Sequence, residues 1–326
     1  MSLDICPNCD SRDILVRSGG RLLPFFIKRV FAIEPPTIAA FLPRRFGAGF
    51  AGLIRNIPIL SLLGQYRPLD CEILICATCD FVCPALNLPD SQLLGLYRDY
   101  RSASYNRERC EYEPSYRRVA DSVGKLPAEH QARMAHVDRF LMNVPGIASI
   151  RDVLDFAGAD GSFIPTELRR CHCTVYEVSD ERPCRPEISK VSEITQLGMF
   201  DYIQVCHLLE HVRHPKQLMK SVIQHASPGA LVYIEVPKEA TEHRVEALRG
   251  GGETFLVHEH INLYTEASLS ALVEAIGLTL LKMESRALDM GWCRATVLSA
   301  VAVNRHAGAF GDHIRVESKS PRRNRT

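Results

Sequence analysis

The stretch VLDFAGADGSF (153–163) decides how the rest of the chain is read. An apolar run closed by Asp155 passes into a turn of small residues, the form in which a parallel α/β sheet offers its backbone to a ligand beyond a strand's carboxyl end. Small residues suit that turn because a Cβ would hold the backbone away from the ligand. Gly158 and Gly161 meet the need, while Ala157 and Ala159 stand where glycine is expected. The dinucleotide fingerprint G-x-G-x-x-G is absent, which weakens a hydride-transfer reading. Asp155, Ala157, Gly158 and Gly161 are expected to line a cofactor.

Working outward, short apolar runs alternate with helical stretches from about residue 148, the signature of a doubly wound, Rossmann-like α/β sheet. Strands are expected at 152–157, 173–178, 200–206, 230–236, 278–285 and 295–303, with helices near 162–170, 215–226 and 266–276. In the last helix Leu269, Leu272, Val273 and Ile276 form one apolar stripe, and Gly277 follows as a C-cap. Glu177 ends the second strand, 22 residues after Asp155, where an acid can accept hydrogen bonds from ribose hydroxyls.

Next comes FDYIQVCHLLEHVRHP, an apolar strand running into Cys206, His207, Glu210 and His211 before a helix and the turn SPGA. His207-Leu-Leu-Glu210-His211 also fits H-x-x-E-H, the inverted zinc-protease motif. That motif must lie within a helix for both histidines to face one metal, and here it falls where a strand gives way to a crossover, with Pro215 close behind. Loop, acid and strand, in this order and spacing, resemble the class I S-adenosylmethionine-dependent methyltransferases over roughly 150–300. The resemblance implies that Asp155, Ala157, Gly158 and Gly161 lie near the methionine part, that Glu177 holds the ribose, and that Cys206 and the segment after it floor the active site.

Two C-x-x-C pairs, Cys6–Cys9 and Cys76–Cys79, supply four thiolates at the spacing tetrahedral zinc prefers. Four sulfurs leave no open position, so such a zinc is structural, and the nearby Cys83 reads as a buried thiol. A knuckle, then QYRPLDCEILICATC, a Tyr-rich linker and the later HEHINLYTEASLSALVEAIGL and MGWCR resemble the zinc-containing sugar C-methyltransferases. By that resemblance the acid–histidine pair in HEH, Glu259 and His260, sits at the substrate, with His207 as a second catalytic group. Val257 stands where that family commonly carries a tyrosine, and no further domain is expected beyond 305. Transfer of a methyl group to a sugar-like or other small polar acceptor is thus the leading expectation. Carbon methylation of a nucleotide-linked ketosugar is the alternative, and a degenerate fold serving as a binding scaffold is the rival from another class.

The expected organisation is a zinc-binding module at 1–95 carrying a helical insertion at about 20–65, a helical linker or lid at 96–147, the methyltransferase domain at 148–305 and a basic disordered tail at 306–326. With 39 basic and 38 acidic residues, no chain-wide field argues for nucleic acid. No signal peptide is read, and the clustered cysteines suit a reducing cytoplasm. The insertion interleaves Arg21, Lys28, Arg29, Arg44, Arg45 and Arg55 with bulky apolar residues. It is expected to pack as a helical subdomain, with a peripheral membrane or protein contact as the alternative.

Overall fold

A computed structural model of the chain describes residues 4–37 and 65–305. The middle of the insertion, with Arg44, Arg45 and Arg55, and the basic tail lie outside the described residues. No helix of the described residues is long and apolar enough to cross a membrane.

Two sheets organise the chain. The first has four strands in the order β3-β2-β1-β9: β1 (Ile14–Leu22), β2 (Leu69–Cys76), β3 (Val82–Pro84) and β9 (Phe255–Val257). β9 comes from the later half of the chain and joins β1 in parallel, Leu22 opposite Val257. Helix α1 (Pro24–Phe31) buries Phe25, Phe26, Ile27 and Val30 beneath this sheet, in one core with Val245, Leu248, Phe255, Ile261 and Leu263. The first residues of the expected insertion are therefore strand and buried helix, and they share a core with residues past 240. Thr37 and Tyr66 pair across the ends of the segment between them.

The larger sheet has seven strands in the order β10-β11-β8-β7-β4-β5-β6. These are β4 (Asp152–Phe156), β5 (His172–Tyr176), β6 (Ser189–Val191), β7 (Phe200–Cys206), β8 (Ala226–Pro237), β10 (Thr279–Asp289) and β11 (Arg294–Val303). β11 runs antiparallel to both neighbours, β8 and β10, while β4–β8 pair in parallel. The centre is nearly continuous Val, Ile, Leu and Tyr, as strands covered on both faces require. The order reverses between β4 and β7, so the carboxyl ends there open a crevice.

Between β3 and β4 in the chain come α2 (Asp90–Tyr97) and α3 (Ala103–Tyr112), which share the core of the smaller sheet, and α4 (Pro127–Leu141), which packs on the larger one. The helices after β7 and β8 are α5 (Pro215–Ile223) and α6 (Glu242–Gly250), and α7 (Glu266–Ala275) precedes β10. Thr265 and Ser268 form a capping box that starts α7, and Gly277, at φ 83°, ends it as expected.

The helix expected at 162–170 is replaced by a turn and a 3₁₀ helix, Thr166–Arg170, with Pro165 at its N-cap. A proline inside that span removes a backbone donor and clashes with the preceding turn, so no α-helix crosses it. β6 was not expected, because three residues, Ser-Lys-Val, carry no readable period.

Candidate active site and cysteine cluster

The loop after β4 curls through left-handed backbone at Ala157 (φ 57°), Ala159 (φ 51°) and Gly161 (φ 75°). The two alanines thus occupy the conformation that glycine adopts without cost. A Cβ at Gly158 would fall 2.0 Å from Cγ of Asp155, and one at Gly161 would fall 2.8 Å from Cγ2 of Val175. These glycines make room for the fold itself. Asp155 is buried, its Oδ2 has no hydrogen-bond partner, and burial pushes its carboxyl up to about 7 against the opposing pull of Gln204 and Arg133. Glu177 turns back on the loop: its Oε2 accepts from the amide of Ala159 (3.2 Å) and its Oε1 from Ser179 (2.8 Å). A carboxylate offers about four acceptor directions, so Glu177 keeps capacity for a ligand hydroxyl.

At the end of β7, Cys206 pairs with Glu235 of β8, and His207 follows in left-handed backbone (φ 50°). His207 is clamped between carboxylates: Nε2 lies 3.1 Å from Glu235 Oε1 and Nδ1 lies 3.3 Å from Glu210 Oε1. Burial and Arg133 oppose its charge, but these two acids outweigh them and raise its pKa. Glu235 is fully buried and also meets Arg133 of α4 (3.2 Å) and the hydroxyl of Tyr233 (2.7 Å). Despite burial, His207 and Arg133 hold it well below the usual carboxylate range.

Beside this lies a second group, built from the turn after β7, the loop after β9 and helices α2 and α3. Glu259 is buried, bonded to Arg109 and, at 3.3 Å, to the hydroxyl of Tyr105. Its Oε2 lies 3.1 Å from Nδ1 of His258. Burial resists the charge on Glu259, and His258 with Arg109 overcomes it, so this acid stays ionised. The acid–histidine pair expected as Glu259 with His260 is thus Glu259 with His258. His260 has its own acid, Glu239, 2.6 Å from Nδ1, which lifts it to about 9 in spite of burial. His211 Nδ1 lies 2.9 Å from both the Glu259 carbonyl and the Tyr97 hydroxyl, and burial, against the pull of Glu210, leaves it at about 4.

The four cysteines converge. Cys6 Sγ lies 3.9 Å from Cys79 Sγ, Cys9 Sγ lies 3.7 Å from Cys76 Sγ, and all four sulfurs are within 4.8 Å of one another. A tetrahedron with Zn–S bonds of about 2.3 Å has edges of about 3.8 Å. The two knuckles repeat one conformation: Asp10 (φ 63°) and Asp80 (φ 60°) each return an amide to the first cysteine carbonyl, at 2.9 and 3.0 Å. Cys83 is buried, its thiol pushed up to about 11, and it accepts at 3.8 Å from Arg213.

Asp155, Ala157, Gly158, Gly161 and Glu177 are thus one loop and its brace, Cys206 and His207 stand on the neighbouring strand end, and Glu259 and His260 stand in the second group. Sequence reasoning did not find Tyr97, Tyr105, Arg109, Arg133, Glu235, Glu239 or His258. The Tyr- and Arg-rich run from 96 to 118 was the visible signal for the first three. A surface concavity lined by Met142, Ile147, Pro165 and Leu168 includes none of these groups.

Residues 111–283 match the family described as a methyltransferase domain. Among solved structures, the N-methyltransferase NodS from Bradyrhizobium japonicum WM9 in complex with S-adenosyl-L-homocysteine is 16% identical, with a TM-score of 0.39, covering 62% of this chain and 97% of that one. Magnesium protoporphyrin IX methyltransferase from Synechocystis PCC 6803, with the same product bound, is 14% identical, with a TM-score of 0.42, covering 63% and 96%. A search of curated proteins found none that matches.

Proposed function

This chain belongs to the methyltransferase domain family, as an S-adenosylmethionine-dependent enzyme, and we propose that it methylates a hydroxyl of a sugar-like, polar small molecule. One observation carries the choice of site. The cofactor loop after β4 and the histidine–glutamate turn after β7 lie on adjoining strand ends, the loop after β9 is tied to that turn by the Ile261 amide on the Glu210 carbonyl (2.8 Å), and α2 and α3 contribute phenols and Arg109. Such a lining of hydroxyls, imidazoles and ion pairs suits an acceptor rich in hydroxyl groups better than an apolar one.

In this reading Asp155 and the loop 157–161 hold the methionine part of the cofactor. The orphaned Oδ2 of Asp155 is the acceptor set aside for it. Glu177 holds the ribose, and Cys206 floors the cleft. When bound, S-adenosylmethionine supplies an electrophilic methyl group. His258 is the proton acceptor: Glu259 takes its Nδ1–H and leaves Nε2 free, the division of labour by which a carboxylate orients a catalytic imidazole. The acceptor's O–H bond breaks towards that nitrogen, the O–CH₃ bond forms, and the methyl–sulfur bond breaks to leave S-adenosylhomocysteine. His260, paired with Glu239, faces the same space, and His207 braces the floor between Glu210 and Glu235. In the four-cysteine cluster, the tetrahedral edge lengths support a structural zinc ion.

The phenols favour a second reading, carbon methylation of a ketosugar. The Tyr97 hydroxyl sits on the Glu259 carbonyl at 2.9 Å, and burial keeps that phenol protonated. By turning its one proton from that carbonyl to an enolate oxygen it would serve where Val257, buried in β9, cannot.

Calorimetric titration with S-adenosylmethionine and S-adenosylhomocysteine tests the enzyme reading. Saturable binding of both, lost in Asp155→Ala, is expected. No binding of either would leave only the scaffold. Transfer of labelled methyl to nucleotide-linked sugars, followed by NMR of the product, separates oxygen from carbon methylation.

A further inference from the structure

We infer that Glu210, His211 and His260 form a binding site for one divalent transition-metal ion, separate from the four-cysteine cluster. One ligand atom from each residue lies within 4.8 Å of the others. Two imidazoles and one carboxylate, with the remaining positions open, make a donor set for zinc, iron, cobalt or manganese rather than calcium or magnesium.

Three features point to an ion here. Glu210 is fully buried, yet neither carboxylate oxygen has a hydrogen-bond donor. The nearest nitrogens, His207 Nδ1 at 3.3 Å and His211 Nε2 at 3.6 Å, are in ion-pair range without hydrogen-bond alignment. Both face Oε1, so Oε2 is the oxygen with no partner of either kind, and a buried carboxylate oxygen left so is costly unless a cation completes it. Next, each histidine is oriented as a ligand. The Glu259 carbonyl can only accept, so His211 Nδ1 carries the proton and Nε2 keeps its lone pair. His260 is oriented in the same way by Glu239 at Nδ1, so an ion would bind at Nε2 in place of the proton there. Imidazoles that bind metals almost always donate their other N–H to a carbonyl or carboxylate. Finally, Glu239, His258 and His260 also converge, but the Glu239 and His258 contacts to His260 and Glu259 account for those groups as outer partners. Of these groups, Glu210 Oε2 is the carboxylate oxygen that no such contact reaches.

The histidines and glutamate that H-x-x-E-H would place on a protease helix are thus divided otherwise. His207 braces Glu235, and His211 turns with Glu210 towards His260, which lies 49 residues further along the chain. This inference rests on the proposed acceptor site, because the open positions of the ion would face the acceptor and take two of its neighbouring oxygens. There the ion would polarise the hydroxyl that loses its proton to His258.

The test uses the full chain, first saturated with one equivalent of Zn²⁺ to fill the thiolates and then dialysed against Co²⁺. About one Co²⁺ per chain is expected, without thiolate charge-transfer absorption and with two paramagnetically shifted imidazole N–H resonances in the NMR spectrum. Glu210→Gln and His211→Ala should each weaken binding at least ~100-fold. Glu239→Gln, which removes only an outer partner, should weaken it about 10- to 100-fold. His243→Ala, on the exposed face of α6, should change nothing. Absence of Co²⁺ beyond the thiolates, or Glu210→Gln binding as wild type does, overturns the site. S-adenosylhomocysteine titrated into the same samples keeps the two readings apart. Cofactor binding without cobalt removes only the metal site, and cobalt binding without the cofactor removes only the methyltransferase reading.

Discussion

Gly158 lies so close against Asp155 that a Cβ on the glycine would fall 2.0 Å from the carboxyl carbon. The pair is a single packing unit, and the buried acid has nowhere to retreat. Gly158→Ala should therefore cost about 1–3 kcal/mol, the usual penalty for overpacking a well-filled site. It should also displace the carboxyl and weaken S-adenosylhomocysteine binding. Urea unfolding and calorimetry check both. Wild-type stability in this variant would mean that the loop takes another path.

Ala157 and Ala159 make the opposite prediction. Left-handed backbone costs an L-residue roughly 1–2 kcal/mol, and glycine is free of that cost. Glycine also gains freedom in the unfolded chain, which returns part of the benefit. The double change to glycine should leave a net gain of about 1 kcal/mol and tighten cofactor binding, because the loop no longer resists its bound shape. Weaker binding would contradict the placement of this loop.

Asp155 also makes stability depend on pH. Its folded pKa of about 7 stands above the ordinary 3.8. Between those values the folded protein keeps a proton that the unfolded chain has released. The unfolding free energy must then fall as pH rises through that window, and level off above about 7. Asp155→Asn cannot ionise, so its advantage over wild type should grow from pH 4 to 7.5, with an upper limit of about 4 kcal/mol. A difference that stays constant across that range would show that the carboxyl is not buried as described. The same linkage predicts that binding the cationic methionine end below pH 7 releases a proton, which calorimetry in buffers of different ionisation enthalpy detects.

The strands of the larger sheet were legible because each is an apolar run of ordinary length, as in FDYIQVC and ATVLSAVAV. The placing of Glu177 after the second strand and beside the loop was legible by its distance from Asp155, and the convergence of the cysteine pairs by their spacing. The acid–histidine pairing was not. Whether Glu259 meets His258 or His260 depends on how the chain leaves β9, and β9 exists only because it adds to a sheet more than 200 residues earlier in the sequence. Arg109 was hidden for a similar reason, since it reaches Glu259 from 150 positions away. The left-handed backbone at Ala157, Ala159 and His207 has no marker in those residue types. Pro165 is the local signal against an α-helix after Gly161, and the chain forms a 3₁₀ turn there instead.

The cysteine cluster gives the last prediction, and it distinguishes an embedded metal from a detachable module. Cys6, Cys76 and Cys79 are buried in one core with Phe81, Tyr264 and Leu269. Both knuckles are also stitched to the methyltransferase domain. Asn8 donates to the Ser268 carbonyl of α7 at 2.8 Å, Lys216 of α5 pairs with Asp10, and Arg249 of α6 pairs with Asp80 at 2.5 Å. If zinc fills the cluster as proposed, its removal leaves four crowded sulfurs that must take up protons, and the free energy of binding a structural zinc is folding free energy. Because the contacts continue into α5–α7, that loss should spread rather than stay local. A strong chelator should lower the melting temperature of the whole chain in one cooperative transition, and S-adenosylhomocysteine affinity should fall with it. Restoring one equivalent of Zn²⁺ should reverse both. Two separate transitions, with cofactor binding intact in the chelated protein, would show instead that the knuckles fold apart from the sheet they sit on.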